Sequence, residues 1–373
     1  MSDNDKLQAL LRGDLWNEFC DSLKAAGNQV LAEDTPDDPL SRAEGFRYLT
    51  RLLRLSLEKN LEFGDPWHPQ FYSLSHETAK IGNDNPDNFY QNCAVDGRCT
   101  YRISGNVGTV DYLSIETKAG SYVGGGDMQP TGHIALGEID TDAEGNFTLL
   151  VSASEQPGNW LSMSEQSDNI LVRQTFRDRA SERRAELQIE CLDPRGSAVL
   201  DPAQFAAQLE GVVPFVTGTA GLFREWMAGF RAHTNQLPPN DQSMCLRAGG
   251  DPSIYYHNTY WELAPDQALL IEFTPPKVCR VWNLQVSNYW MESLDYRYHR
   301  ICINRHNAHY EADGSVRIVV SEGNPGEAWP NWLTTAGHVC GSLLLRYVEA
   351  QDHPPIATRV VSLDELAAAG SAG

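Results

Sequence analysis

His338 follows Gly337 and precedes a run of strand-forming residues, a position from which a fixed scaffold can hold an imidazole over a cleft. Such a group could move a proton, or it could donate to a backbone carbonyl and hold a loop. Upstream, Trp290-Met291-Glu292-Ser293-Leu294-Asp295-Tyr296-Arg297 gathers carboxylates, rings and a cation. A carboxylate beside an imidazole makes an acid-base pair, each partner tuned by burial and by the other. Asp295 and Glu292 are therefore the catalytic partners expected for His338, with an Asp295–Arg297 surface pair as the competing reading. Tyr256, Trp290, Trp329 and Trp332 supply rings for an amphipathic, substrate-binding pocket. Rings that alternate along strands more often fill a core, so the ligand argument leans on Trp329 and Trp332, which fall in loop sequence.

Other clusters are less suited to chemistry. His299, His306 and His309 could share a metal on a helix, but the sequence between them is not helical, and on a strand positions 306 and 309 point to opposite faces. No metal is assigned. Asp140-Thr141-Asp142-Ala143-Glu144-Gly145 imitates the opening of a calcium loop, yet Val151 stands where the bidentate acid belongs, so it reads as a hairpin turn. Gly124-Gly125-Gly126 has neither the GxGxxG spacing nor a following helix, and neither GxxxxGK[ST] nor GxSxG occurs, so no nucleotide or other cofactor is expected. The eight cysteines form no CxxC pair and read as reduced, mostly buried thiols. Cys340 lies near His338 in sequence, which is poor grounds for a nucleophile-base pair.

The elements that must position these residues come in two kinds. Leu15, Phe19, Ala26 and Val30 recur at helical spacing, and a helix over 41–60 puts Phe46, Leu49, Leu53 and Leu57 on one face, with Ser41 and Glu44 as a capping box. Residues 202–237 are again helical, and Pro214 and Gly218 are expected to divide them into two helices. Between and after these lie short apolar runs broken by Gly, Asn and Asp, with hairpin turns expected at Asp96-Gly97 and Glu144-Gly145.

An internal repeat organises the strands. Gly145-Asn146-Phe147-Thr148-Leu149-Leu150-Val151-Ser152, Pro157-Gly158, Asn159-Trp160-Leu161 and Val172-Arg173 recur as Gly314-Ser315-Val316-Arg317-Ile318-Val319-Val320-Ser321, Pro325-Gly326, Asn331-Trp332-Leu333 and Leu345-Arg346. The fold class is therefore mainly β with helical additions (α+β): two tandem β-sandwich-like modules sharing one repeat. The expected division is an N-terminal helical region and linker (1–84), a first β-rich module (85–193), a helical connector (194–249), a second β-rich module (250–350) and a frayed C-terminal tail (351–373).

A formal net charge of −21 over 373 residues works against binding a phosphate backbone or an anionic membrane, so neither nucleic acid nor membrane is an expected partner. No apolar run approaches the roughly 18 to 20 residues needed to span a bilayer, and residues 1–31 carry no secretory pattern. A cytoplasmic location is expected.

Residues 255–261, Trp282-Asn283-Leu284, Asn288-Tyr289-Trp290 and above all Asn331-Trp332-Leu333-Thr334-Thr335-Ala336-Gly337-His338 resemble the bacterial domain-of-unknown-function 1214 family. Asn85-Pro86-Asp87-Asn88 with Tyr90, and Tyr101-Arg102-Ile103 with Gly105, resemble the amino-terminal part of its longer members, so the resemblance spans about 45–348. It implies a β-rich fold and a bacterial cytoplasmic setting, and brings no catalytic assignment. The second copy departs from the first by an inserted Glu327-Ala328-Trp329-Pro330.

The function expected from these residues is a small-molecule catabolic enzyme of hydrolase or lyase type, working by acid-base residues on an uncharged or weakly polar ligand. A non-catalytic protein binding a carbohydrate or other small ligand is the alternative. A homo-oligomer is compatible with the sequence. Because the first copy has Met163-Ser164-Glu165 where the second has His338, the carboxy-terminal copy is expected to hold the site.

Overall fold

Alternation of apolar and polar residues builds the strands. In the strand Asn146–Ser152, Phe147, Leu149 and Val151 are buried while Asn146 and Thr148 face outward. The computed structural model describes residues 3–123, 126–193, 196 and 199–371. In the first module β1 (Asn88–Ala94), β2 (Tyr101–Asn106), β3 (Tyr112–Ala119), β4 (Gln129–Ala135), β5 (Asn146–Ser152), β6 (Trp160–Ser162), β7 (Asn169–Thr175) and β8 (Glu186–Cys191) form two sheets, β1-β7-β3-β4 and β6-β5-β2-β8. Ile103, Leu149 and Val151 from one sheet meet Leu113, Ile115 and Val172 from the other.

The second module comprises β9 (Ile254–Glu262), β10 (Gln267–Phe273), β11 (Val281–Ser287), β12 (Cys302–Asn304), β13 (Val316–Ser321), β14 (Trp332–Thr334), β15 (Cys340–Val348) and β16 (Ala357–Ser362). Its sheets, β9-β15-β11-β12 and β14-β13-β10-β16, repeat the first module strand for strand. The duplication extends further than the motif: even the parallel pairing of β5 with β6 recurs as β13 with β14.

Three local expectations change. Asp96-Gly97 and Glu144-Gly145 are not hairpin turns, since the strands they join lie in different sheets. The expected frayed tail at 351–373 is ordered over 357–371, because β16 pairs with β10 from Gln267 to Glu272 and α6 (Leu363–Ser371) follows it. The second module therefore reaches beyond residue 350.

α1 (Asp3–Arg12), α2 (Asp14–Ala26) and α3 (Pro39–Leu57) precede the sheets, and α4 (Pro202–Phe230) and α5 (Gln242–Arg247) connect them. The cap of α3 is Asp38 rather than Ser41: its carboxylate accepts the Ser41 amide at 3.0 Å, and Pro39 opens the helix. Pro214 does not divide α4, which runs unbroken for 29 residues. A proline inside a helix costs about 3 kcal/mol. Burial on both sides of it outweighs that cost, with Ala206, Leu209 and Val212 packed in one cluster and Phe215, Val216, Ala220 and Phe223 in another.

The two modules pack through the outer faces of the β1-β7-β3-β4 and β9-β15-β11-β12 sheets, where Tyr112 and Ala135 meet Tyr256, Val281 and Leu344. This explains why β7, β11 and β15 are buried along their whole length. Among the described residues no helix is long and apolar enough to cross a membrane.

Candidate functional site in the cavity between the modules

Strand period two sends Ile170 and Val172 of β7 into the core of their own module and leaves Leu171 and Arg173 on the other face. On β15 the same alternation leaves Leu344 and Arg346. Each arginine has a tyrosine directly across the ladder: Tyr90 of β1 opposite Arg173, and Tyr256 of β9 opposite Arg346. One step further, Asn92 lies opposite Leu171 and Asn258 opposite Leu344. All eight residues line one cavity of about 140 Å³.

The lead-in segments cross over to complete it. The Tyr90 hydroxyl accepts the Asn85 amide and the Tyr256 hydroxyl accepts the Asp251 amide, both at 2.9 Å. Arg173 Nη2 donates to the Gly249 carbonyl, ahead of β9, while Arg346 Nη2 donates to the Asn83 carbonyl, ahead of β1. Each module's arginine thus holds the other module's entering strand. The cavity lies on a local two-fold relation between the copies.

Charge breaks the symmetry. Arg173 Nη1 donates to Glu116 of β3, whose other oxygen accepts from Lys118. At the equivalent place on β11 stands Gln285, whose Oε1 accepts from Arg346 Nη1 at 2.6 Å. Burial alone would lower the pKa of Arg173, but Glu116 together with Tyr256, Asp251 and Tyr90 outweighs it and the net shift is upward. For Arg346 burial prevails over the attraction of Tyr90, Tyr256 and Asp84, and the shift is downward.

One wall is apolar, made by Phe215, Phe223 and Trp226 of α4 with Tyr122 and Met128 from the first module, while Lys59 and Asp84 also line the cavity. Two polar atoms are buried without a partner at this wall, Asn83 Nδ2 and Ser75 Oγ. A dry cavity of ~150 Å³ admits a single aromatic ring, so the space suits a molecule of that scale.

Of the catalytic and substrate-binding residues expected from the sequence, only Tyr256 lines this cavity. His338 Nδ1 faces the Thr335 carbonyl and Nε2 faces Glu44 Oε2, both at 2.8 Å, so α3 and not a ligand occupies the imidazole. Asp295 is paired with Arg297 near the surface, which holds its carboxyl down to about 2. Glu292 is buried against Arg51 of α3 and reaches His338 indirectly, since Asn288 Nδ2 donates to both Glu292 and Glu44. The structure therefore joins His338 to Glu292 in a helix-docking network and leaves Asp295 outside it. The cavity, by contrast, is lined by residues of both copies.

The tryptophans also serve packing. Trp290 Nε1 donates to the Ser41 carbonyl at 2.9 Å, and its ring lies where a side chain at Gly45 would stand. Trp329 Nε1 donates to Leu366 of α6. Trp332 Nε1 donates to the Ser321 carbonyl as Trp160 does to Ser152, both at 3.2 Å, so the repeat keeps this indole as a strand tie.

His299, His306 and His309 are exposed. Among the described residues, the side chains close enough to share an ion are Cys99, Cys191 and Asp193, with ligand atoms within 4.8 Å of one another. Burial pushes the Cys99 thiol up to about 11, and Asp193 already accepts the Thr100 amide at 2.6 Å. Gly124 and Gly125 lie outside the described residues.

Sequence reasoning missed Arg173, Arg346, Tyr90 and Asn83. The signal was present: both arginines end the aligned repeat, and Tyr90-Gln91-Asn92 matches Tyr256-His257-Asn258.

Fold and cavity together define a tandem β-sandwich protein whose two copies enclose one internal cavity. The model of a family described as a protein of unknown function (DUF1214) matches residues 261–352. A crystal structure of an uncharacterised protein from Burkholderia cenocepacia is 48% identical, with 96% of this chain and 99% of that chain covered and a TM-score of 0.93. A protein of Vibrio parahaemolyticus is 11% identical over 84% of this chain and 98% of that chain, with a TM-score of 0.49. No curated protein matches. Residues 261–352 thus carry the DUF1214 pattern, within a chain similar over nearly its whole length to an uncharacterised bacterial protein.

Proposed function

We propose that this chain is a small-molecule-binding protein whose ligand occupies the cavity between its modules. The observation that carries this reading is the convergence there of equivalent tyrosine, asparagine and arginine side chains from both copies, facing an aromatic wall of α4. Groups spent only on stability would be satisfied within the protein, whereas Asn83 Nδ2 and Ser75 Oγ are buried without a partner. Binding is favoured over the hydrolase or lyase reading because both nitrogens of His338 are engaged by Thr335 and Glu44.

What supports a cytoplasmic setting is the eight free cysteines, six of them buried. The binding reading is tested by thermal shift of the full chain against a metabolite library, repeated with Leu171→Phe, which fills the cavity. Hits should stabilise the wild type by about 2.7 kcal/mol at a hundredfold excess over Kd and lose that effect in the variant. Hits that stabilise both proteins equally, or a library without hits, would count against it.

A further inference from the structure

We infer that the ligand is a small organic monocarboxylate, its acid group held at Arg346 and Asn83 and its apolar body lying against Phe215, Phe223 and Trp226. This rests on the binding reading above and adds the chemical class.

The inference comes from comparing the two copies. In the first, Arg173 has a hydrogen-bonded carboxylate, Glu116, which Lys118 also contacts. In the second, Gln285 replaces that carboxylate and Ser287 stands in the place of Lys118. Arg346 is 5% exposed, yet its contacts at Gln285 and Asn83 are an amide oxygen and a backbone carbonyl, both uncharged. The acids around it are already matched. Asp84 accepts from the Ser293 amide and hydroxyl beside Lys80, whose ammonium donates to the same Ser293. Asp87 is balanced by Arg179, which reaches the carbonyls of Pro86 and Asn88 on either side of it. Glu292 and Asp295, the other acids near Lys80, are paired with Arg51 and Arg297, which leaves Arg346, Lys80 and Arg179 facing Asp84 and Asp87.

A buried guanidinium without an anion is costly, and a ligand carboxylate supplies the missing charge. Arg346 uses one N–H at Gln285 and one at Asn83, out of the five that a guanidinium carries. Asn83 Nδ2, on the same lead-in segment, is a second unpartnered donor. One surplus positive charge fits one carboxylate. The aromatic side of the cavity and its size, about 140 Å³, fit a short aliphatic or single-ring body.

The experiment is calorimetric titration of the full chain with benzoate, phenylacetate and hexanoate, each beside its uncharged amide. The decisive variant is Gln285→Glu, which installs the charge that the first copy carries and so should preserve the fold. A hydrogen bond to a charged group contributes about 1.5–3 kcal/mol, so acids should bind the wild type roughly tenfold to a hundredfold more tightly than amides. Gln285→Glu should lose that preference while melting no lower than the wild type. A panel in which no acid binds more tightly than its amide, or a preference that survives Gln285→Glu, overturns the assignment. Amides that bind the wild type as well as the acids do, and that Leu171→Phe abolishes, would sink the carboxylate inference and leave the binding reading standing.

Discussion

His338 is held by two acceptors, which fixes its protonation: a ring nitrogen facing a carbonyl and another facing a carboxylate must both carry hydrogen. Burial opposes the charge, but Glu44 and the Thr335 carbonyl outweigh it, and the pKa is raised. A folded-state pKa above the unfolded value of about 6.5 means stability that is fully present below about pH 6.5 and lost as pH rises through the folded value. Urea denaturation at stepped pH should therefore show the wild type's advantage over His338→Gln shrinking toward alkaline pH. A pH-independent difference would refute the imidazolium. The sequence marked this histidine as unusual. Its partner Glu44 lies 294 positions away, where local pattern has no reach.

Among elements, the docking of α3 on the second module depends on Arg51 and Glu292, both buried. Removing one partner of a buried pair strands the other charge at a cost of about 3–5 kcal/mol. Arg51→Ala should lose stability on that scale in chemical denaturation, against under about 1 kcal/mol for Asp295→Ala at its half-exposed pair. Strands were legible where apolar residues alternate, as in β5 and β13. β16 was not: only Val361 of its six residues is buried, so its sequence reads as loop although β10 pairs with it throughout. Deleting residues 351–373 bares the β10 edge and Trp329, and the truncated protein should aggregate in light scattering while the full chain stays dispersed. The expected break at Pro214 failed for a related reason, since burial by distant elements overrode a local preference.

For the whole molecule, the duplicated motif was readable over one strand, one loop and one arginine. The relation between the copies was not, because it depends on which outer sheet faces meet. Those faces are apolar and polar by turns and include buried Glu116 and Lys118 of β3, with buried Asp251 ahead of β9 beside them, groups that each copy alone would expose. Residues 85–193 and 250–371 expressed separately should be insoluble or molten, with dye binding and lost near-UV signal, and should recover structure only when joined with the helices. Two independently folded halves would argue against a shared core.

A cavity on a local two-fold relation offers a molecule two equivalent ways to lie, head toward either copy. A single exchange, carboxylate at 116 for amide at 285, ends that degeneracy. If the proposed ligand binds there, a cavity assembled as a palindrome has thereby acquired a direction, and a molecule with distinct ends should have one productive way of lying in it.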